Sequence, residues 1–137
     1  MKNLLIVPFL MLFINVMAQT KPVKIVFDVT SNSEETHQST LRHVTMMAEA
    51  YPGSEFEVVI YGGALPMVLK NDSSVSKEIL SFKDHENVSF KVCEGTMKRY
   101  QVDKTQLLSG VETVEDGILE IVTKQSEGWG YIKETGN

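Results

Sequence analysis

Three short runs of β-branched and aromatic residues, 23–29, 56–61 and 88–93, are separated by stretches long enough to hold a helix and its turns. Runs this short and this apolar fill strands covered on both faces. Between the first two, Leu41, Val44, Ala48 and Tyr51 recur at helical spacing until Pro52 and Gly53 break the pattern. Parallel strands cannot be joined by a tight hairpin and need a crossover of about this size, which is right-handed. The prediction is an α/β fold, a parallel sheet with helices on both faces.

The rest of the chain continues the alternation. The second strand ends in Gly62-Gly63, where the backbone can turn or approach a ligand without obstruction, and a short apolar turn over 64–69 follows. Asp72 or Ser73 can cap a helix carrying Val75, Ile79, Leu80 and Phe82. A brief helix is expected after Cys93 as far as Tyr100, then a short strand over 111–114. Thr113-Val-Glu-Asp116 has the character of a capping box for a helix reaching about Gln125, and 128–133 supplies a fifth strand. No repeat, low-complexity tract or linker interrupts the pattern.

Residues 1–3 carry a positive charge and precede the apolar stretch 4–16, too short for an ordinary spanning helix, and Val16-Met17-Ala18 fits a cleavage site. The expectation is a signal peptide over 1–18 and a mature chain from Gln19, periplasmic or secreted and without stable membrane insertion; the alternative is an uncleaved anchor. Removing 18 of 137 residues leaves 119, enough for a single domain over 19–137. The formal charge of −5, or −6 once Lys2 is removed, argues against a nucleic-acid partner or an anionic membrane surface. One cysteine excludes an internal disulfide.

That cysteine, Cys93, lies at the carboxyl end of a strand, where ligands bind in α/β sheets and where the N–H groups of the next helix favour thiolate. Asp28 and Thr30 end the first strand, and Gly62 and Gly63 follow the second, so the three ends can line one crevice with Cys93. Glu94 would raise the thiol pKa unless it points to solvent, and Lys98 and Arg99 can offset it. Asp28 is either a charged crevice residue or a capping partner of the 30–33 loop. His37, read first as a surface histidine, can alternatively serve Cys93 as a base in a hydrolase. Trp129 and Tyr131 are packing or contact aromatics. No metal-ligand spacing and no phosphate-binding glycine pattern is present, so neither a metal nor a cofactor is expected.

Four segments together resemble the DsrE/DsrF-like family: Lys24-Ile-Val-Phe-Asp28, Tyr61-Gly-Gly-Ala-Leu65, Val92-Cys-Glu-Gly-Thr-Met97 and Gln125-Ser-Glu-Gly-Trp-Gly-Tyr-Ile132. The resemblance implies a three-layer α/β/α fold with a five-stranded parallel sheet, assembly into oligomers and, for some members, a cysteine that carries persulfide sulfur. Cys93 matches that cysteine, and this chain departs from the sulfur-relay members in its export signal. The expected function is a sulfur carrier in a homo-oligomer, with Thr96 and the N–H groups after Cys93 stabilising the thiolate and a sulfur donor or acceptor protein, or a small ligand, as partner. The alternative is a small-ligand-binding or assembly module in which Cys93 is structural.

Overall fold

Five parallel strands, β1 (Lys24–Val29), β2 (Glu55–Ile60), β3 (Val88–Cys93), β4 (Val111–Val114) and β5 (Gly130–Glu134), form one sheet in the order β4-β3-β2-β1-β5. The computed structural model describes residues 21–135. The expected signal segment 1–18 and the cleavage point before Gln19 lie outside them. The helices are α1 (Glu34–Ala50), α2 (Ser76–Ser81), α3 (Glu94–Arg99) and α4 (Gly117–Ser126).

Strand order dictates where the helices go. The chain steps from β1 to β4 in one direction, and α4 then carries it back across the sheet to β5, beyond β1. Right-handed crossovers that run in opposite directions lie on opposite faces. So α1 and α2 cover one face, where Phe27, Phe56, Val58 and Phe90 pack with Leu41, Val44 and Ile79. On the other face α4 is the covering helix, and its small cluster consists of Val26, Val59 and Ile121, with Tyr61 and Trp129 beside it. The α/β/α fold and its five parallel strands are those expected.

Several boundaries differ for local reasons. The apolar turn expected over 64–69 is a 3-10 helix, Gly62–Val68, and takes up part of the crossover. Only Ser76–Ser81 is left for α2, with Val75 at its N-cap in place of Asp72 or Ser73. Asp116 itself caps α4, its carboxylate accepting from Ile118 and Leu119 N–H, while Thr113 stays in β4. A reciprocal capping box forms instead at Asp103 and Gln106. β5 starts at Gly130 because Gly128, at φ +89°, is still closing the end of α4.

Candidate functional site

Cys93 is the last residue of β3 and the N-cap of α3, so an extended residue delivers its sulfur to a place where a helix begins. Parallel alternation puts Cys93 on the same sheet face as Ser89 and Lys91, the face crossed by α4. The turn from β4 into α4 closes over it. Gly117, the first residue of α4, lies so near that a Cβ there would be 3.3 Å from Cys93 Cβ and from Tyr61 Cδ1. The Glu115 carbonyl oxygen stands 4.0 Å from Sγ.

Burial pushes the thiol up, and Cys93 is 9% exposed. The backbone N–H groups of Gly117, Thr96 and Gly95, with the Thr96 hydroxyl, outweigh that effect and hold its pKa below the ordinary thiol value. Glu94 exerts less repulsion than its position suggests. Its carboxylate accepts from Lys104 at 2.8 Å and from the Thr113 hydroxyl at 2.6 Å, and these partners lower its own pKa. The offsetting cation is therefore Lys104, whereas Lys98 and Arg99 are exposed at the end of α3.

The other expected site residues fall into two neighbouring groups. Gly62 donates its N–H to Thr96 Oγ1 at 3.0 Å, which ties the turn after β2 to the helix after Cys93. At φ +58° Gly62 adopts the left-handed region, and a Cβ on Gly63 would meet the Thr30 carbonyl oxygen at 3.0 Å. These glycines line a pocket of about 380 Å³ with Asn32, Leu65, Pro66 and Tyr100, which Cys93, Asp28 and Thr30 do not border. The single shared crevice expected from the strand ends is thus divided.

Asp28 and Thr30 belong to the second group, at the carboxyl end of β1 where β5 lies beside it. Buried Asp28 accepts from the Tyr131 hydroxyl at 2.6 Å and from Lys133 Nζ at 3.0 Å, and Lys133 also reaches Thr30 Oγ1 at 2.7 Å. The hydrogen bonds of the Asp28 carboxylate thus come from these two β5 side chains. Its hydrogen bond to Tyr131, then burial, pushes that phenol up to about 12, and burial followed by the Asp28 charge does the same to Tyr61. The Tyr61 ring joins the groups, packed against Gly117 on one side and under Lys133 Nζ, 5.8 Å from its centroid, on the other.

His37 is not a surface residue. It is 2% exposed in the first turn of α1, and its Nε2–H donates to the Ser31 carbonyl at 2.8 Å. That nitrogen is occupied by backbone, and no hydrogen bond links the ring to Cys93 among the described residues. The Cys-His hydrolase arrangement is absent there. Lys133 and Tyr131 escaped the sequence reading as crevice residues because nothing in the chain order announces that β5 pairs with β1. Glu57, buried beneath α4 with Lys124, was also missed, although one acid inside an apolar strand run is a visible signal. Among the described residues, no group of three His, Cys, Asp or Glu is placed to hold a metal, and no helix is long and apolar enough to cross a membrane.

The model of the DsrE/DsrF-like family matches residues 24–133, which include every residue of these groups. Similar solved structures include the protein of unknown function MTH1491 from Methanobacterium thermoautotrophicum, at 27% identity and a TM-score of 0.75, covering 81% of this chain and 98% of that one. The ychN protein from E. coli is similar at 15% identity and a TM-score of 0.66, covering 83% and 99%. The conserved protein of unknown function BT1422 from Bacteroides thetaiotaomicron follows at 14% and 0.64, covering 80% and 93%. No curated protein matches the chain.

Proposed function

The chain belongs to the DsrE/DsrF-like family, and from that premise we propose that it is an exported sulfur carrier in which Cys93 accepts and passes on sulfane sulfur. The observation that carries this reading is the set of N–H donors and the Thr96 hydroxyl around the sulfur, which favour thiolate in spite of burial. A thiolate attacks the sulfane sulfur of a polysulfide or persulfide, the new S–S bond forms, and the old one breaks with its electron pair leaving on the donor. An acceptor thiolate then takes the outer sulfur, and Cys93 departs as thiolate. The same donors assist both steps, because a stabilised thiolate is also the better leaving group.

Polysulfide treatment followed by intact-mass measurement tests the proposal. Sulfur is added to the protein and removed again by a mild thiol, and Cys93→Ser shows neither change. The low exposure of Cys93 favours a second reading, in which the thiol is a wall of a ligand-binding or assembly module. If native Cys93 resists both polysulfide and a small alkylating reagent until the protein unfolds, that reading replaces the first. Export rests on residues 1–18, and the mature protein is expected to start at Gln19 on N-terminal sequencing. Recovery of Met1 in a carbonate-resistant membrane fraction would show an anchor.

A further inference from the structure

Glu57 points from the middle of β2 into the contact with α4 and is 2% exposed. Its carboxylate is held loosely there. Oε2 lies 3.3 Å from Lys124 Nζ and 3.4 Å from the Ser89 hydroxyl, and Oε1 is buried with no hydrogen-bond partner. Lys124 is shared with Glu120, at 3.7 Å, and lies over the Trp129 ring. A buried carboxylate with one oxygen unmet and a second carboxylate nearby is disfavoured as an anion, and water would satisfy it better than the helix does.

The helix above it has few anchors. Gly117 and Ile121 are buried, while Ile118, Leu119 and Val122 are exposed at 60%, 61% and 55%. Its first residue rests on Cys93, and its last turn carries Lys124 over Glu57. The charged and titratable groups around Glu57 are Lys124 and Glu120 from α4, with Glu127 acting on Lys124. β3 contributes Ser89 and, two residues on, Lys91, which pairs with Glu112 of β4. β1 presents Val26 beside Glu57, and the nearby Lys24 pairs with Glu55.

We propose that Glu57 is the latch of an α4 lid over Cys93: as a carboxylic acid it lets the helix close, and as a carboxylate it draws in water and lets the helix lift from the thiol. The device serves the sulfur-carrier reading of Cys93 and rests on it for its purpose, while the motion itself has an independent readout. Burial first, then Glu120, pushes Glu57 up to about 7 from 4.5, against the pull of Lys124. A proton bound more tightly under the docked helix favours docking, so opening grows as pH rises from about 5 and levels off above about 7. Between pH 5.5 and 8 the opening constant rises by up to about thirtyfold.

Two measurements on the full chain read this motion. Alkylation of Cys93 is followed with iodoacetamide and with a bulky maleimide, because their rate ratio cancels the thiolate fraction and reports access. Amide exchange in Gly117–Ser126, corrected for intrinsic rates, reports the helix directly. Both signals should rise with pH in the native protein and stay flat and low in Glu57→Gln. Loss of the Glu57 charge acting only through space would speed both reagents alike and leave their ratio unchanged.

Two further variants fix the sign and do not depend on the first one folding. Glu120→Gln removes a group that raises Glu57 and should move the levelling-off to lower pH. Lys124→Met removes one that lowers it and should move it higher. Exchange of α4 that is independent of pH in the native protein, or the same profile in native and Glu57→Gln proteins, overturns the latch. Failure of sulfur uptake at Cys93 would instead remove the carrier reading and leave the exchange measurement standing.

Discussion

On one face of the sheet, Phe27, Phe56, Val58, Phe90 and their neighbours are sealed under α1, α2 and the 3-10 helix in a continuous apolar cluster. On the other, buried Val26 and Val59 share the surface with Asp28, Glu57, Lys91 and Cys93, and α4 lies across them with an exposed apolar outer side. The first face gains its stability from area removed from water. The second gives up much of that gain to hold ionisable groups near a thiol. Strand topology separates the two roles, because the single reversed crossover leaves one helix to cover a face that three elements cover on the opposite side.

Truncations should show this asymmetry most strongly. Phe27→Ala removes a ring packed at 6.5 Å from the Phe56 ring and should cost about 3–5 kcal/mol in denaturant unfolding. Ile121→Ala, under a helix with solvent close by, should cost about 2 kcal/mol, near the bottom of the range for such changes. Equal losses would mean that α4 is packed as firmly as α1, and the contrast between the faces would fail.

A second effect belongs to Glu57 and has a definite sign. Because its folded pKa is raised to about 7 from 4.5, its contribution to stability is fully present below about 4.5 and is lost as pH rises to about 7. The loss is at most about 3 kcal/mol, and Glu57→Gln should remove it. Unfolding titrations of the two proteins at pH 4.5 and pH 8 measure the difference. A native stability that instead rises over this interval, by more in the native protein than in Glu57→Gln, would show that Lys124 outweighs burial.

The first face was legible in the sequence and the second only in part. Apolar runs such as Phe56-Glu-Val-Val-Ile60 announce strands at once, and the helical spacing of Leu41 and Val44 announces α1, because burial of apolar side chains writes its period into the chain. Thr96 could be named from its place just after Cys93. Lys133 and Tyr131 could not be assigned to Asp28, since that pairing depends on β5 returning beside β1, a long-range choice. Gly62 and Gly63 were read as a place where the backbone can turn, and Gly62 adopts the left-handed region while Gly63 lies against the Thr30 carbonyl. Which pocket they border depends on how 62–68 coils, and a 3-10 helix containing Pro66 was not foreseen.

Self-association sharpens the comparison from the edge of the sheet. β5 is an edge strand with Tyr131 and Ile132 exposed at 43% and 38%, and an open edge in a chain of this size calls for cover. Light scattering at micromolar concentration is expected to report more than one subunit. Ile132→Lys, a charge on the edge, should lower the association without changing the fold. A monomer at every accessible concentration would contradict the expectation.

The smallest effect lies where the second face meets the thiol. Gly117→Ala places a Cβ 3.3 Å from Cys93 Cβ and from Tyr61 Cδ1, so the start of α4 must shift by a few tenths of an ångström. Stability should fall by about 1 kcal/mol. The more informative change is at the sulfur, because the Gly117 N–H is the first of the donors that lower the thiol pKa. Thiolate absorbance, taken as the difference from Cys93→Ser so that tyrosine cancels, should titrate at higher pH in Gly117→Ala than in the native protein. An alanine that left this titration in place would show that Thr96 and Gly95 suffice, and that α4 covers the thiol without tuning it.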